Sequence, residues 1–554
     1  MYGSVTLHPW AEAENDAMKK RRSALAITAL VLGSISFCFF LTRHPGGFLL
    51  SLLLGALTMC FAIPAIITIS RRSQQMRGVG PAAAGICLAS IASVLSLVSF
   101  ANMISSQSNQ QRSRVEHQRT MQRIEQAAGA AFRDTPATEF KSNLPIVVFD
   151  MNGGSSRHED GLLIRAKFIN TENGRATMSG KADFDGLAAI RTRGHSTRDL
   201  PKRSYTLHTM DSSTNQTKVA LLGLPAEEDW VLYAPFEDKT MIRDVLAYEL
   251  ARRMGYYAPR TRFVELFIKR SGSNISMRDY HGVYVLVERI KRGKNRVNIE
   301  KLGPEDNAEP EITGGYILKR DHGEGDGSRF NTRRGGPYYY VYPKERSITS
   351  EQKRWIRGYF NKFEEALYGE DFADPETGYA AYLDVGAFID HHWLIELSKN
   401  VDGFRYSSYL TKDRGGKLKV GPAWDWNRAF GNANYYGGGQ TKGWYWGVLR
   451  PNEISWHHRL REDPAYVRQS AARWQELRKS VFDPKKINAL IDQIAGQLDE
   501  AQKRNYERWP ILGQHVSSNY YVGDSYKEEV EWLKKWIEGR IAWIDKQVVD
   551  GGRL

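Results

Sequence analysis

The stretch Lys399-Asn400-Val401-Asp402-Gly403-Phe404, the alternating run Arg405 to Lys412, the turn residues Asp413-Arg414-Gly415-Gly416, the return Lys417 to Ala423 and then Trp424-Asp425-Trp426-Asn427 decide how this chain is read. The pattern predicts an antiparallel hairpin bracketed by two acids. In such a hairpin the start of the first strand lies beside the end of the second, so Asp402 and Asp425 converge at one edge. Two converging carboxylates suit phosphoryl transfer. One accepts a hydroxyl proton or orients the nucleophile, while the other holds the divalent metal that neutralises the transferring phosphate. A plainer reading of the same residues has Asp402 making an Asx turn and Asp425 capping one. Geometry alone leaves both open.

Outward from the hairpin the chain carries an ordered set of motifs. They are Arg193-Gly194-His195-Ser196-Thr197-Arg198 with Pro201-Lys202-Arg203-Ser204-Tyr205, Phe236-Glu237-Asp238-Lys239 with Arg243, Gly282-Val283-Tyr284-Val285-Leu286-Val287-Glu288-Arg289-Ile290, and Gly314-Gly315-Tyr316-Ile317-Leu318. With Asn400-Val401-Asp402-Gly403 and Trp424-Asp425 they resemble the CotH kinase family over about Leu144 to Leu477. The resemblance implies an α+β, atypical protein-kinase-like domain, β-rich in its N-terminal part and α-rich in its C-terminal part. It also implies a catalytic role at Asp402, a metal-binding role at Asp425, ATP with Mg²⁺ or Mn²⁺, and a serine or threonine of a protein substrate as acceptor. Many family members have an asparagine five residues after the first acid, where this chain has Ser407, a poorer magnesium ligand.

No Gly-x-Gly-x-x-Gly loop is present, so nucleotide phosphates are assigned to Arg193, Arg198 and Lys202 around Gly194, with Glu237 and Glu288 in the same set. Lys202 contacts phosphate on this reading, positioned by an acid such as Glu237 or Glu249. A basic strand end facing solvent and a structural turn are the competing readings. The pairs His391-His392 and His457-His458 send their rings in different directions and suit no shared metal. Gly443-Trp444-Tyr445-Trp446 with Trp456 reads as core or as a sugar-stacking platform. The platform would fit a noncatalytic surface module that binds cell-wall polysaccharide or a protein partner.

A length of 554 residues predicts several units. Residues 1–22 read as a cytoplasmic N-terminus, and 23–101 as an all-α transmembrane region with three spans at about 24–41, 48–69 and 79–100. The span region resembles the DUF4190 membrane module. Basic flanks at Lys19-Lys20-Arg21-Arg22 and at Arg71, Arg72 and Arg77 predict an integral, multi-pass membrane protein with everything after Phe100 outside. Residues 102–139 read as a solvated stalk, helical on one reading, and 140–554 as the kinase-like domain with a C-terminal helical extension. Helices are predicted at Thr240 to Met254, Ser350 to Leu367, Val385 to Ser398, Pro484 to Glu507 and Ser525 to Val548. Cys38, Cys60 and Cys87 all fall in the apolar runs, so the remainder carries no thiol. The net charge of +14 mixes 77 basic with 63 acidic residues along the chain, and no nucleic-acid partner is expected. The sequence sets no oligomeric state.

Overall fold

The structure is a computed structural model and describes residues 115–151, 157–194, 197–321, 328–450 and 455–549, with 105, 111 and 453 besides. The chain divides into two units, Met1–Arg119 and Thr120–Leu554. The second is the one that can be built from its residues.

Its first half is a closed barrel. Seven strands form it: β1 (Ile146–Asp150), β2 (Gly161–Ile169), β3 (Ala182–Arg193), β4 (Ser204–Thr209), β5 (Asp229–Tyr233), β6 (Thr261–Lys269) and β7 (Tyr280–Glu288). Antiparallel pairing runs β1-β2-β3-β4-β5-β7-β6, and β6 returns to β1 in parallel, with Ile146 opposite Glu265. Ring closure leaves no long unpaired edge to recruit another chain. Every second residue of the strands points into one shared core, with Val147, Phe149, Ile164, Ala166, Trp230, Leu232, Val264, Leu266, Tyr284 and Leu286 among its members. Such a core shared by all seven strands is what a ring encloses. Full burial of each large side chain there stabilises the fold by roughly 1.5–3 kcal/mol.

The outer faces of β5, β6 and β7 are buried as well. Val231, Phe263, Val283, Val285 and Val287 pack into the main core with the helices that follow. Burial on both faces explains why Tyr280–Glu288 reads as a nearly unbroken apolar run instead of alternating. Gly282 sits at a register shift with φ +95°, and a Cβ there would meet Asn505 Oδ1 at 2.7 Å, so only glycine fits.

A second sheet contains β8 (Tyr316–Arg320), β9 (Arg329–Phe330), β10 (Tyr338–Tyr342), β11 (Ser408–Lys412) and β12 (Leu418–Val420), in the order β9-β10-β8-β11-β12. Strands β11 and β12 form the expected hairpin, shorter than predicted, with Leu410 opposite Val420 and a turn closed by Gly416 N–H donating to Asp413 O at 3.1 Å. The helices are α1 (Arg243–Arg253), α2 (Ser350–Tyr368), α3 (Val385–Ser398), α4 (Ser455–Leu460), α5 (Pro464–Lys479), α6 (Pro484–Gly496), α7 (Ala501–Arg508) and α8 (Tyr526–Val549). Asp238 satisfies the start of α1 by accepting from Thr240 N at 3.0 Å and Arg243 N at 2.8 Å. Helix α3 is capped by Asp384 and stopped by Lys399 in the left-handed conformation, φ +45°, which throws the chain into the loop that carries Asp402. The single helix expected at Pro484 to Glu507 breaks between α6 and α7.

Two expectations are corrected. Among the described residues no helix is long and apolar enough to cross a membrane. The longest, α8, has 24 residues and carries Lys527, Glu528, Glu529, Lys534, Lys535 and Glu538, charges that hydrocarbon does not solvate. The three spans expected at 24–41, 48–69 and 79–100 lie outside the described residues. Over the described residues the fold is α+β with a barrel-like sheet and holds no membrane-crossing helix, which corrects the expected three-span region and the integral, multi-pass, outward-facing placement that rested on it. In addition, residues 120–130 of the expected solvated stalk are helical and bury Met121, Ile124 and Ala128 in the main core, a spacing that lines one helical face.

Candidate active site

A cleft of about 410 Å³ opens where the end of β3, the first turns of α1, the loop after α3 and the segment after β12 meet. Both acids of the hairpin line it, together with Arg193, Asp244, Tyr248, Asp321, Trp424, Asn427 and Arg428. The loop before β11 and the segment after β12 deliver Asp402 and Asp425 from opposite ends of the hairpin, as the antiparallel geometry requires.

Asp402 sits in a tight turn whose Asx contact is made by its neighbour. Asn400 Oδ1 accepts from Asp402 N–H at 3.2 Å, and Asp402 O accepts from Arg405 N at 2.8 Å and Tyr406 N at 2.7 Å. The Asp402 carboxylate is thus not spent on the turn; its neighbour is the Arg405 guanidinium at 3.5 Å. Asp425 is held at φ +63° and Ser407 at φ +51°, left-handed conformations that cost of order 1–3 kcal/mol each and recur at functional sites. Asp425 N–H donates to Tyr248 Oη at 3.2 Å, and Ser407 Oγ lies 3.4 Å from Asp425 Oδ2.

Charge in the cleft is concentrated. Solvent reaches Asp425 through the cleft mouth, yet protein surrounds it, and desolvation together with the Asp402 and Asp321 carboxylates raises its pKa to about 6 against the pull of Arg428 and Arg193. Asp244, buried in the first turn of α1, accepts from Trp426 N at 2.5 Å and is pushed up to about 8, chiefly by burial and then by Asp425. Arg193 lies over the Trp424 ring at 5.1 Å, and Trp424 in turn stacks on Tyr248 at 6.4 Å. Its own proton affinity is lowered, first by desolvation.

The expected phosphate-binding residues scatter. Arg193 and Gly194 line the cleft, whereas Arg198 is exposed outside it. Lys202 is 1% exposed and donates to Val283 O at 2.6 Å and Asn505 Oδ1 at 2.8 Å, clamping α7 onto β7. Burial there holds its pKa well below the ordinary lysine value. Neither Glu237 nor Glu249 is its partner: Glu249 pairs with Arg252 and Arg253. Glu237 lies buried beneath the cleft floor, accepting from Asn427 Nδ2 and Arg428, each at 3.2 Å. Glu288 ends β7 and is held by Arg260 and Arg296 outside the cleft.

Sequence reading missed Asp244, Asp321, Asn427 and Arg428. Only Asn427 carried a local signal, standing two residues after Asp425. Because its amide nitrogen is committed to Glu237, its Oδ1 is left for the cleft that the residue lines. The aromatic set is core: Tyr445 is buried, Trp456 donates to Glu364 at 3.0 Å, and Trp444 packs on Trp393 and Trp543. A sugar-stacking platform finds no support in it.

Carboxylates that repel one another beside an amide oxygen form a donor set of hard oxygens, which suits Mg²⁺ or Mn²⁺. Among the described residues, three acids with ligand atoms within 4.8 Å of one another occur only at Glu227, Glu228 and Asp229. The cleft therefore suits an ion that takes few protein ligands and completes its shell with water and phosphate, as Mg²⁺ does. A family model described as CotH kinase protein matches residues 190–544, more than half of the chain. The match does not extend to the segment expected to resemble DUF4190. No curated protein matches the chain.

Proposed function

The chain belongs to the CotH kinase family, and from that premise we propose that its cleft transfers the γ-phosphoryl group of ATP to a serine or threonine hydroxyl of a protein. Membership carries a kinase-like function, and with it the general use of ATP and a divalent metal. The residue roles and the acceptor are our reading. It rests on one observation: Asp402 and Asp425, from the two ends of a hairpin, line one cleft in which burial, joined by repulsion from Asp402, has raised the Asp425 pKa to about 6. Such repulsion is what a divalent cation relieves.

Asp425 and Asn427 Oδ1 are the groups that would hold Mg²⁺ or Mn²⁺, and the ion would supply charge neutralisation of the phosphates. Asp402 accepts the proton of the attacking hydroxyl. An oxygen–phosphorus bond forms to the acceptor as the bond between the γ-phosphorus and the β–γ bridging oxygen breaks, and ADP departs with the released electron pair. Arg193 stands at the cleft wall with its guanidinium fixed over Trp424, placed to meet phosphate oxygens. Glu237 fixes Asn427 and Arg428 from below without touching a substrate.

The test is transfer of label from γ-labelled ATP by the full chain, with Mg²⁺ or Mn²⁺ and an added serine-rich protein, beside Asp402→Asn and Asp425→Asn. Transfer that both substitutions abolish supports the assignment. Absence of both transfer and nucleotide binding with either metal overturns it.

A further inference from the structure

Beyond the cleft, on the side where β7 runs out, lies a hollow of about 430 Å³ whose rim is cationic. Three separate segments supply the charge: Lys218, then Arg289 with Arg292 and Lys301, then Lys344 with Arg346. A second hollow of about 360 Å³ shares Lys218 and Arg292 with the first and adds Lys294, so the two form one trough. Among the described residues the acids lining the first hollow are Glu228 and Asp229; Lys291 matches them at 2.7 Å each and Arg289 also meets Asp229 at 3.5 Å, which leaves Lys218, Arg292, Lys301, Lys344 and Arg346 to charge the rim. Lys218, Lys301, Lys344 and Arg346 are exposed, and no carboxylate among the described residues pairs with them.

The trough and the cleft are neighbours along β7: Val287 lines the cleft and Arg289, two residues on, lines the trough.

We propose that this trough docks an acidic segment of the acceptor protein, a run of glutamate or aspartate residues near the phosphorylated hydroxyl. The proposal rests on the kinase reading for the meaning of the docking, but not for the docking itself. Cations spread over three segments match an extended string of single charges, where one phosphate would call for convergence on a point. Single-stranded nucleic acid needs open aromatic faces. Tyr342, the ring in the hollow, is covered by the Arg292 guanidinium at 5.4 Å and has its hydroxyl on Leu302.

Binding of a fluorescein-labelled peptide of alternating glutamate and serine to the full chain, followed by anisotropy without ATP or metal, tests this. Saturable binding that weakens with salt and drops about tenfold in the double variant Lys344→Glu, Arg346→Glu supports the trough. Both positions are exposed loop residues, and a thermal melt confirms that the variant is folded. A peptide of alternating lysine and serine should not bind. Because the binding is read without ATP or metal, a failed kinase reading and a failed trough are told apart. No binding of the acidic peptide, binding indifferent to the charge reversal, or tighter binding of an oligouridylate of equal charge overturns the proposal.

Discussion

Two groups of acids in the same domain are treated in opposite ways. At the start of β5, Glu227, Glu228 and Asp229 surround Lys291 at 3.0, 2.7 and 2.7 Å, and Asp229 also meets His208 at 2.8 Å. The protein supplies the counter-ion there, and Asp229 is held far below the usual carboxylate range despite its burial, by His208, Arg289 and Lys291. In the cleft, arginines offset the acids only in part: Arg405 stands 3.5 Å from Asp402, and Asp425 and Asp244 still drift upward to about 6 and about 8, chiefly through burial. One group carries its lysine within the fold, whereas the other keeps acids whose charge an arriving cation would settle. Acidity in itself is not the mark of a site; acids left only partly offset beside a cleft are.

The contrast can be broken most sharply at the cleft. Asp402→Asn and Asp425→Asn should each lower phosphoryl transfer by about 10²–10⁴-fold with little change in urea stability. Loss of stability without loss of transfer would reverse the assignment of the two groups. Lys291→Met should do the opposite. It takes the lysine from Glu227 and Glu228, leaves Asp229 to His208 and Arg289, and should cost about 2–4 kcal/mol in urea unfolding, toward the lower end because Lys291 is 23% exposed, while leaving transfer by the folded fraction intact. Mn²⁺ or Mg²⁺ in excess should raise the melting temperature by about 2–4 °C in the parent and in Lys291→Met, but not in Asp425→Asn.

The smallest effect is graded with pH. Asp244 keeps its proton in the folded state up to about 8 but releases it near 3.8 when unfolded, so the native state binds more protons across that window. Its contribution is fully present below about pH 4 and is lost as pH rises toward 8. The urea midpoint should therefore fall from pH 5 to pH 8 without metal, and Asp244→Asn should flatten that slope.

What the sequence shows depends on how far apart the partners lie. The convergence of Asp402 and Asp425 was legible because a local hairpin enforces it. Helix α3 was legible to the residue from helical periodicity over Val385 to Ser398. Asp244 was not, since it earns its place by accepting from Trp426, 182 residues later. Lys202 read either as a phosphate ligand, by likeness to the kinase strand lysine, or as a basic strand end facing solvent. Its burial depends on Asn505, 303 residues on, which no local pattern announces. Closure of the barrel was hidden for the same reason, because the parallel seam joins β1 to β6, with Asp150 and Lys269 bridged across 119 residues.

The Lys202–Asn505 clamp also sets a timetable for a nascent chain. When β4 leaves the ribosome, the acceptor for its neighbouring lysine has yet to be translated. At about 5–20 residues per second, the 303 intervening residues take about 15–60 s. From the synthesis of β7 until that of α7, the outer faces of β6 and β7 are without the helix that covers them, which makes the half-translated domain a client for chaperones.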